Sequence, residues 1–354
     1  MPEISTSQPS QQQTKPLKIG VIVYASAMIL DYIGPTSYFE LLPYIGVTPV
    51  EFHTISQKRG PIESSSRMPI YASTGYADAP EQLDILLIPG GDNSVVTNDK
   101  GFLDYIRRAA QQAKFVLTLV EPHKNVKWIR QARWVVDGNT WTSSGITAGM
   151  DMAYAFVANH FNKRVPTPTT SANMPETSTS QPSQQQTKPL KIGVIVYAGA
   201  MILDYIGPTS YLEFLPYTGV TPVEFHTISQ KRGVIESSSL MPIYASTGYA
   251  DAPEQLDILL IPGSGDNTVV TNDKGFLDYI HRAAQKAKFV LTVCTGAEIL
   301  AQTGFLDGKR ATTNKIFYDK LVEPHKNVKW IRQARWVVDG NTWTSSGITA
   351  GMDM

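Results

Sequence analysis

The chain contains one cysteine, Cys294, and the sequence around it is typical of a nucleophile. The apolar run KFVLTV, ending at Val293, predicts a buried strand, and AEILAQTG predicts a helix directly after Gly296. At such a strand-to-helix junction the helix dipole favours the thiolate, so we expect a lowered thiol pKa. The backbone N–H of Thr295 would stabilise an anion that develops on a substrate. The alternative is that Cys294 is a small buried apolar side chain.

A cysteine nucleophile usually needs a second group that handles the proton. The sequence has no His-x-Glu pair, and its histidines do not suggest a partner: His226, His281 and His325 are predicted in a strand, on a helix surface and in a loop. Asp204, in LDYIGP, follows another predicted strand and is expected at the same sheet edge as Cys294. The alternative for Asp204 is an N-cap, because Gly207-Pro208 should start or break a helix.

The elements that would position these residues occur twice. The first segment, from Met1 through GVIVYA, returns nearly unchanged from Met174 to Ala198, and LDYIGPTSY and VEFHTISQKRG also recur. The repeat is too long for a solenoid and indicates tandem domains. We predict a polar disordered tail at 1–16, copy one at 17–162, a flexible linker at 163–189 and copy two at 190–354. A join of two neighbouring related genes, each with lost segments, would also produce this pattern.

Each copy lacks a piece that the other retains. In copy one KFVLTL runs directly into VEPHKNVKWIRQARW, so the counterpart of about Val293 to Lys320 is missing. Copy one continues past GMDM into AYAFVANHFNKR, whereas copy two ends at Met354, so we expect copy two to lack its last helix and to leave apolar surface uncovered. As a hypothesis, Ala153 to Phe161 of copy one occupies the vacant place.

Strands alternate with helical patterns in each copy. KIGVIVY, VEFHTIS, DILLIPG and KFVLTV predict strands, FLDYIHRAAQKA predicts a helix, and RWVVDGNTWTSS predicts a hairpin that turns at Asp339-Gly340. The order predicts an α/β fold: a three-layer α/β/α sandwich with a mostly parallel, flavodoxin-like sheet, in two tandem copies.

Charge and composition narrow the function classes. The 31 basic and 31 acidic residues balance, which argues against nucleic-acid or anionic-membrane partners. No apolar stretch approaches the ~20 residues of a bilayer helix, and the first residues lack the apolar core of a secretory signal. One cysteine cannot form an internal disulfide, and no Cys/His cluster has metal spacing. We predict a soluble cytoplasmic protein that acts on a small molecule without a cofactor or metal.

The blocks LDYIGP, ILLIPG, VCTGAEILAQTGFLDGKRATTN and WTSSGITAGMDM resemble the ThiJ/PfpI superfamily, which has a class I glutamine-amidotransferase-like fold. They are most similar to its isonitrile-hydratase-like branch. The resemblance implies that Cys294 attacks an isocyanide to give a thioimidate, that Asp204 activates water to release an N-substituted formamide, and that Thr295 contributes its backbone N–H. It also implies a homodimer or a dimer-like pair within the chain, and pocket or oxyanion roles for Gly263, Ser264, Gly265, Gly347, Ile348 and Thr349.

Two features depart from this family pattern. The oxyanion loop, usually Pro-Gly-Gly, reads Pro-Gly-Ser-Gly at 262–265, and copy one has no cysteine for Asp31 to work with. A non-catalytic binding or regulatory protein, or another cysteine-dependent hydrolase or amidotransferase-like activity, therefore remains an alternative. Thr295 argues against the peptidase-like and glyoxalase-like branches, which place His after the cysteine.

Overall fold

The structure is a computed structural model that describes residues 15–40, 42–43, 46–62, 68, 70–119, 129, 132–161, 188–213, 215–216, 221–235 and 241–354. Most of the predicted tail (1–16) and linker (163–189) lies outside the described residues. The first copy contains β1 (Leu17–Ile22), α1 (Ile29–Glu40), β2 (Val50–Ser56), β3 (Gly60–Ile62), β4 (Ile70–Ala72), β5 (Thr74–Gly75), β6 (Ile85–Ile88), a 3-10 turn (Asn93–Val95), α2 (Lys100–Gln112), β7 (Phe115–Leu119), β8 (Trp134–Asp137), β9 (Thr140–Ser143) and α3 (Ile146–Phe161).

The second copy repeats this order and adds elements after its fourth long strand. It contains β10 (Leu190–Ile195), α4 (Ile202–Glu213), β11 (Val223–Ser229), β12 (Gly233–Ile235), β13 (Ile243–Ala245), β14 (Thr247–Gly248), β15 (Ile258–Ile261), α5 (Thr268–Thr271), α6 (Lys274–Lys286), β16 (Phe289–Thr292), α7 (Gly296–Gln302), β17 (Arg310–Ala311), α8 (Tyr318–Val322), β18 (Lys329–Trp330), β19 (Trp336–Asp339), β20 (Thr342–Ser345) and α9 (Ile348–Asp353).

Each copy forms a seven-stranded sheet, in the order β5-β2-β1-β6-β7-β9-β8 and β14-β11-β10-β15-β16-β20-β19. All neighbours are parallel except the last pair, β8 with β9 and β19 with β20. The five central strands of copy two follow the order 2-1-3-4-5 of flavodoxin-like folds, with the reversal of strand order between β10 and β15. Separate apolar clusters on the two faces of this sheet complete the predicted three-layer α/β architecture.

Two local predictions were wrong. The helix after β10 neither starts nor breaks at Gly207-Pro208: α4 begins at Ile202 and contains Pro208. The hydroxyls of Thr209 and Ser210 donate to backbone carbonyls of the preceding turn, and every residue from 202 to 210 is buried, so tertiary packing outweighs the lost backbone hydrogen bond. The hairpin turns at Gly340-Asn341, one residue later than predicted, because Asp339 pairs with Thr342.

The last helix of copy one stays on its own copy. α3 packs on α1, β9 and β8, and the Phe156 ring lies 5.8 Å from Phe39, 4.9 Å from Phe115 and 5.2 Å from Trp141 between centroids. The hypothesis that Ala153 to Phe161 fills the vacant place in copy two is therefore wrong. The Phe156 side chain of this helix already packs against aromatic residues of copy one.

The two copies contact each other through two kinds of element. α1 packs against α4, and β4 pairs with β13 at Ile70 and Ile243 to join two hairpins into a four-stranded sheet, β12-β13-β4-β3. Beside this pair, the rings of Tyr71 and Tyr244 stack with their centroids 6.5 Å apart. One apolar cluster runs through both copies along this contact.

Candidate active site

In copy two, three residues that the sequence predicts for the active site follow the ends of three strands. Asp204 lies in the first turn of α4, which follows β10, Gly263 follows β15, and Cys294 follows β16. Parallel strands bring these ends to one sheet edge, beside the reversal of strand order. Cys294 has a φ of 58°, in the left-handed region that residues with a side chain rarely adopt. Such a strained turn between strand and helix is typical of a nucleophile elbow.

Hydrogen bonds fix the Cys294 backbone and reach its sulfur. Its N–H donates to the Ser345 carbonyl (3.1 Å), and its carbonyl accepts from Thr313 Oγ1 (3.0 Å). Asn314 Nδ2 donates to Sγ at 3.1 Å. The sequence analysis did not single out Thr313 and Asn314, although both lie in the block that only copy two retains, which is the signal that could have found them.

The thiol pKa departs from the sequence-based expectation. Burial of the thiol raises the pKa of Cys294, and the nearby Asp204 carboxylate raises it further, whereas the Asn314 amide and the Thr295 N–H lower it. We had expected a lowered pKa from the helix dipole. The seven-residue helix α7 does not offset removal of the thiolate from water, so the resting residue is a thiol.

Asp204 is fully buried and holds its carboxyl in the site. Its Oδ2 accepts from the Gly263 N–H at 3.0 Å, whereas Oδ1 has no hydrogen-bond partner. Burial raises the pKa of Asp204 to about 7, although the bond from Gly263 lowers it. The N-cap alternative is wrong, because α4 begins at Ile202, upstream of Asp204. A carboxyl that titrates near neutrality can both accept and donate a proton.

Thr295 connects the turn at Cys294 to the loop after β15. Its Oγ1 donates to the Ser264 carbonyl and accepts from the Ser264 N–H, both at 2.9 Å. Asn267 Nδ2 donates to the Thr295 carbonyl (2.9 Å) and to Glu298 Oε2 (2.7 Å), and Ser264 Oγ donates to Asn267 Oδ1 (2.8 Å). The sequence analysis missed Asn267 and Glu298, which complete this buried network.

The Pro-Gly-Ser-Gly loop is engaged with the protein itself. The Gly263 N–H donates to Asp204 and the Ser264 N–H donates to Thr295, so both already have acceptors. A Cβ at Gly263 would clash with Oγ1 and the backbone nitrogen of Thr295, whereas a Cβ at Gly265 would meet no atom within 4 Å. The loop therefore holds the Asp204 carboxyl and the turn at Cys294 together, while the Thr295 N–H faces the thiol.

The segment from Gly347 to Thr349 begins the last helix. Gly347 precedes α9 in extended backbone with φ of 172°, and its carbonyl accepts from the Gly351 N–H at 2.8 Å. Ile348 packs partly buried against the apolar core, and Thr349 is half-buried. Ser345, two residues before Gly347, accepts the Cys294 N–H at its carbonyl.

Copy one preserves the carboxyl without the thiol. Asp31 Oδ2 accepts from the Gly90 N–H at 3.0 Å, and burial raises the pKa of Asp31 to about 6. β7 ends at Leu119, and residues 120–128, which follow it, lie outside the described part of the chain.

Comparison with known proteins identifies the family of this chain. A model of the DJ-1/PfpI family matches residues 190–354. An isonitrile hydratase of Pseudomonas putida is 34% identical over 46% of this chain and 68% of its own length. A deglycase of Pyrococcus abyssi is 29% identical over 34% of this chain and 70% of its own length. A ThiJ/PfpI family protein structure from Pseudomonas syringae has a TM-score of 0.42 at 25% identity, over 48% of this chain and 66% of that one. The chain belongs to the DJ-1/PfpI family.

The described residues contain neither a membrane-spanning helix nor a cluster of metal ligands. None of the described helices is long and apolar enough to cross a membrane. Nor do His, Cys, Asp and Glu side chains of these residues gather into a group of three or more that could hold a metal ion.

Proposed function

We propose that copy two is an isonitrile-hydratase-like lyase that converts isocyanides into N-substituted formamides. The observation that carries this proposal is a fully buried carboxyl, Asp204, at the same sheet edge as Cys294, a cysteine on a strained strand-to-helix turn. Insertion of an isocyanide into an S–H bond places both the sulfur and the proton on the same carbon. A protonated thiol beside a carboxyl that exchanges protons near neutrality suits such a step.

The proposed reaction balances with water as the only co-reactant. Cys294 Sγ bonds to the terminal carbon of R–NC while that carbon gains a proton, relayed through Asp204, to give the thioimidate R–N=CH–S. Asp204 then takes a proton from water, whose oxygen adds to the same carbon, and passes this proton to the nitrogen. The C–S bond breaks, the thiol regains its proton and R–NH–CHO leaves. In these steps the N–H of Thr295 stabilises negative charge beside the sulfur.

The test is turnover of a simple aryl isocyanide by the full chain, followed as formamide appearance. The expected result is turnover that Cys294→Ala abolishes while circular dichroism shows an unchanged fold. Folded wild-type protein that yields no formamide contradicts the proposal. Persistence of turnover in Cys294→Ala contradicts the assigned nucleophile.

A second candidate function is a non-catalytic binding or regulatory protein. It is favoured by the raised thiol pKa and by the engagement of both loop N–H groups with protein acceptors. Turnover distinguishes the two candidates. A working site yields formamide from an aryl isocyanide, whereas a folded non-catalytic protein yields none.

We also propose that the two copies act as a dimer-like pair within one chain. The α1–α4 packing and the shared β4–β13 pairing support this arrangement, since they use equivalent elements of each copy. Light scattering should then give the mass of one chain in solution. The mass of two chains would contradict a dimer-like pair formed by the two copies of a single chain. The need for a reduced thiol supports a cytoplasmic location.

A further inference from the structure

Asn267 is a buried amide that joins the Thr295 backbone to α7 and to the loop after β15. Only 6% of Asn267 is exposed. Its Nδ2 donates to the Thr295 carbonyl (2.9 Å) and to Glu298 Oε2 (2.7 Å), and its Oδ1 accepts from Ser264 Oγ (2.8 Å). Because acceptors face the nitrogen and a donor faces the oxygen, the orientation of this amide is fixed.

The equivalent asparagine of copy one, Asn93, makes a different contact. In both copies this asparagine follows an aspartate that caps the next turn, Asp92 or Asp266. Asn93 is half-buried, and its Oδ1 accepts from the Tyr24 hydroxyl at 2.9 Å. The same kind of turn therefore presents Asn93 and Asn267 to different partners.

One additional residue distinguishes the loop before this asparagine in copy two. Gly91 and Ser264 form equivalent bridges, with Ala27 and with Ala200, so the residue that copy one lacks is Gly265. Gly91 has a φ of 147°, and a Cβ there would clash with neighbouring backbone, whereas the Ser264 side chain is buried. The longer loop therefore supplies a buried hydroxyl at a position where the shorter loop has no room for a side chain.

We propose that Asn267 is a positioning residue for the Thr295 N–H, and that Gly265 is the residue that brings Asn267 to Thr295. Cys294, with a φ of 58°, has a strained conformation that persists only where its surroundings fix it. Asn267 fixes the carbonyl of the next residue, Thr295, and so keeps the Thr295 N–H directed at the thiol. The effect on catalysis rests on the proposed isocyanide turnover, whereas the effect on the thiol does not.

The test follows alkylation of Cys294 by iodoacetamide as a function of pH, which reports on the thiol whether or not isocyanides are substrates. Asn267→Ala should shift the profile to higher pH and slow alkylation near neutral pH by about tenfold, because the Thr295 N–H is no longer held beside the sulfur. Asn93→Ala makes the same change in copy one and should leave the profile unchanged. Coincident profiles of Asn267→Ala and the wild type overturn the proposal, and so does an equal shift in both variants.

A second substitution at Asn267 separates positioning from a loss of fold. Asn267→Asp keeps the size of the side chain and the acceptor for Ser264 Oγ, but it removes the donor to the Thr295 carbonyl. Its profile should shift in the same direction as that of Asn267→Ala, with circular dichroism unchanged. A folded Asn267→Asp variant that keeps the wild-type profile overturns the proposal.

Two changes at Gly265 test the role of the loop length. Deletion of Gly265 restores the length of the copy-one loop and should shift the alkylation profile in the same direction as Asn267→Ala. Gly265→Ala keeps the longer loop and should retain the wild-type profile, because a Cβ there meets no atom within 4 Å. A folded deletion variant with the wild-type profile overturns the role of Gly265.

Turnover separates this inference from the proposed function. With an aryl isocyanide, Asn267→Ala should lower kcat by about tenfold and leave KM close to that of the wild type, because Asn267 acts through Thr295. A raised KM with unchanged kcat overturns the positioning role. If the wild type forms no formamide, the proposed function fails, and the alkylation profiles still decide the role of Asn267.

Discussion

The two copies share a carboxyl and its loop but differ in the thiol. Asp31 accepts from the Gly90 N–H and Asp204 from the Gly263 N–H, each at 3.0 Å, and burial raises both pKa values, to about 6 and about 7. The raised pKa is therefore a property of the shared frame, and it persists where no cysteine is present. In copy two, the block from about Val293 to Lys320 adds Cys294, Thr295 and Asn314 to this frame.

The largest expected effect is on turnover, and it distinguishes the Asp204 carboxyl from the Asp31 carboxyl. Asp204→Asn should lower isocyanide turnover by about 100-fold or more, because it removes the group that exchanges the proton. Asp31→Asn is the matched control: it makes the same change in the same frame, without a thiol, and should leave turnover close to that of the wild type. Steady-state formamide production measures both. Equal losses in the two variants would contradict the assignment of chemistry to copy two.

The same pair of variants tests the raised pKa values through stability. A carboxyl whose folded pKa of about 7 exceeds the ordinary value of 3.8 for an aspartate binds its proton more tightly when folded. Its contribution is fully present below the unfolded pKa and is lost as pH rises towards the folded pKa. The free energy of unfolding should therefore fall between about pH 4 and about pH 7, by at most about 4 kcal/mol from Asp204.

Urea unfolding of the variants over this range isolates each contribution. Asp204→Asn should remove the larger part of the fall, and Asp31→Asn the smaller part, which ends nearer pH 6. A fall that is identical in the wild type and Asp204→Asn would contradict the buried, protonated carboxyl.

Substitution of Thr295, which has no counterpart in copy one, should have a smaller effect, on stability. Thr295→Val removes both hydrogen bonds to Ser264 and leaves the Ser264 N–H without an acceptor in a buried site, which should lower the free energy of unfolding by about 2 kcal/mol. Thr295→Ser retains the hydroxyl and should remain within about 1 kcal/mol of the wild type. Urea denaturation compares them; equal stability of the two variants would mean that the hydroxyl is not what joins the loop to the turn.

The architecture could be predicted from the sequence because each strand and helix has its own local pattern of residues, and the patterns occur in both copies. Short apolar runs such as KIGVIVY and VEFHTIS predicted parallel strands, and their order predicted the sheet edge that Asp204 and Cys294 share. The predictions that were wrong concerned properties that depend on tertiary packing. Pro208 sits inside a helix because its surroundings bury it, and the thiol pKa rises because burial outweighs a short helix dipole. Local residue types do not determine how much water a side chain retains.

The smallest expected effect concerns Asn314, whose position became evident only in the fold. Asn314 Oδ1 accepts from the N–H groups of Ile316 (2.9 Å) and Phe317 (3.2 Å), which orients Nδ2 towards Cys294 Sγ. This donor favours the thiolate, so Asn314→Ala should raise the thiol pKa and slow alkylation by iodoacetamide near neutral pH by about tenfold.

The pH dependence of alkylation distinguishes this role from a loss of fold. The Asn314→Ala profile should shift to higher pH, with the limiting rate at high pH retained. Asn327→Ala, an exposed amide bonded to Asp307, should leave the profile unchanged. If the Asn314→Ala and wild-type profiles coincide, the amide does not act on the sulfur. The Thr295 N–H would then be the one remaining group of the added block known to lower the pKa of the Cys294 thiol.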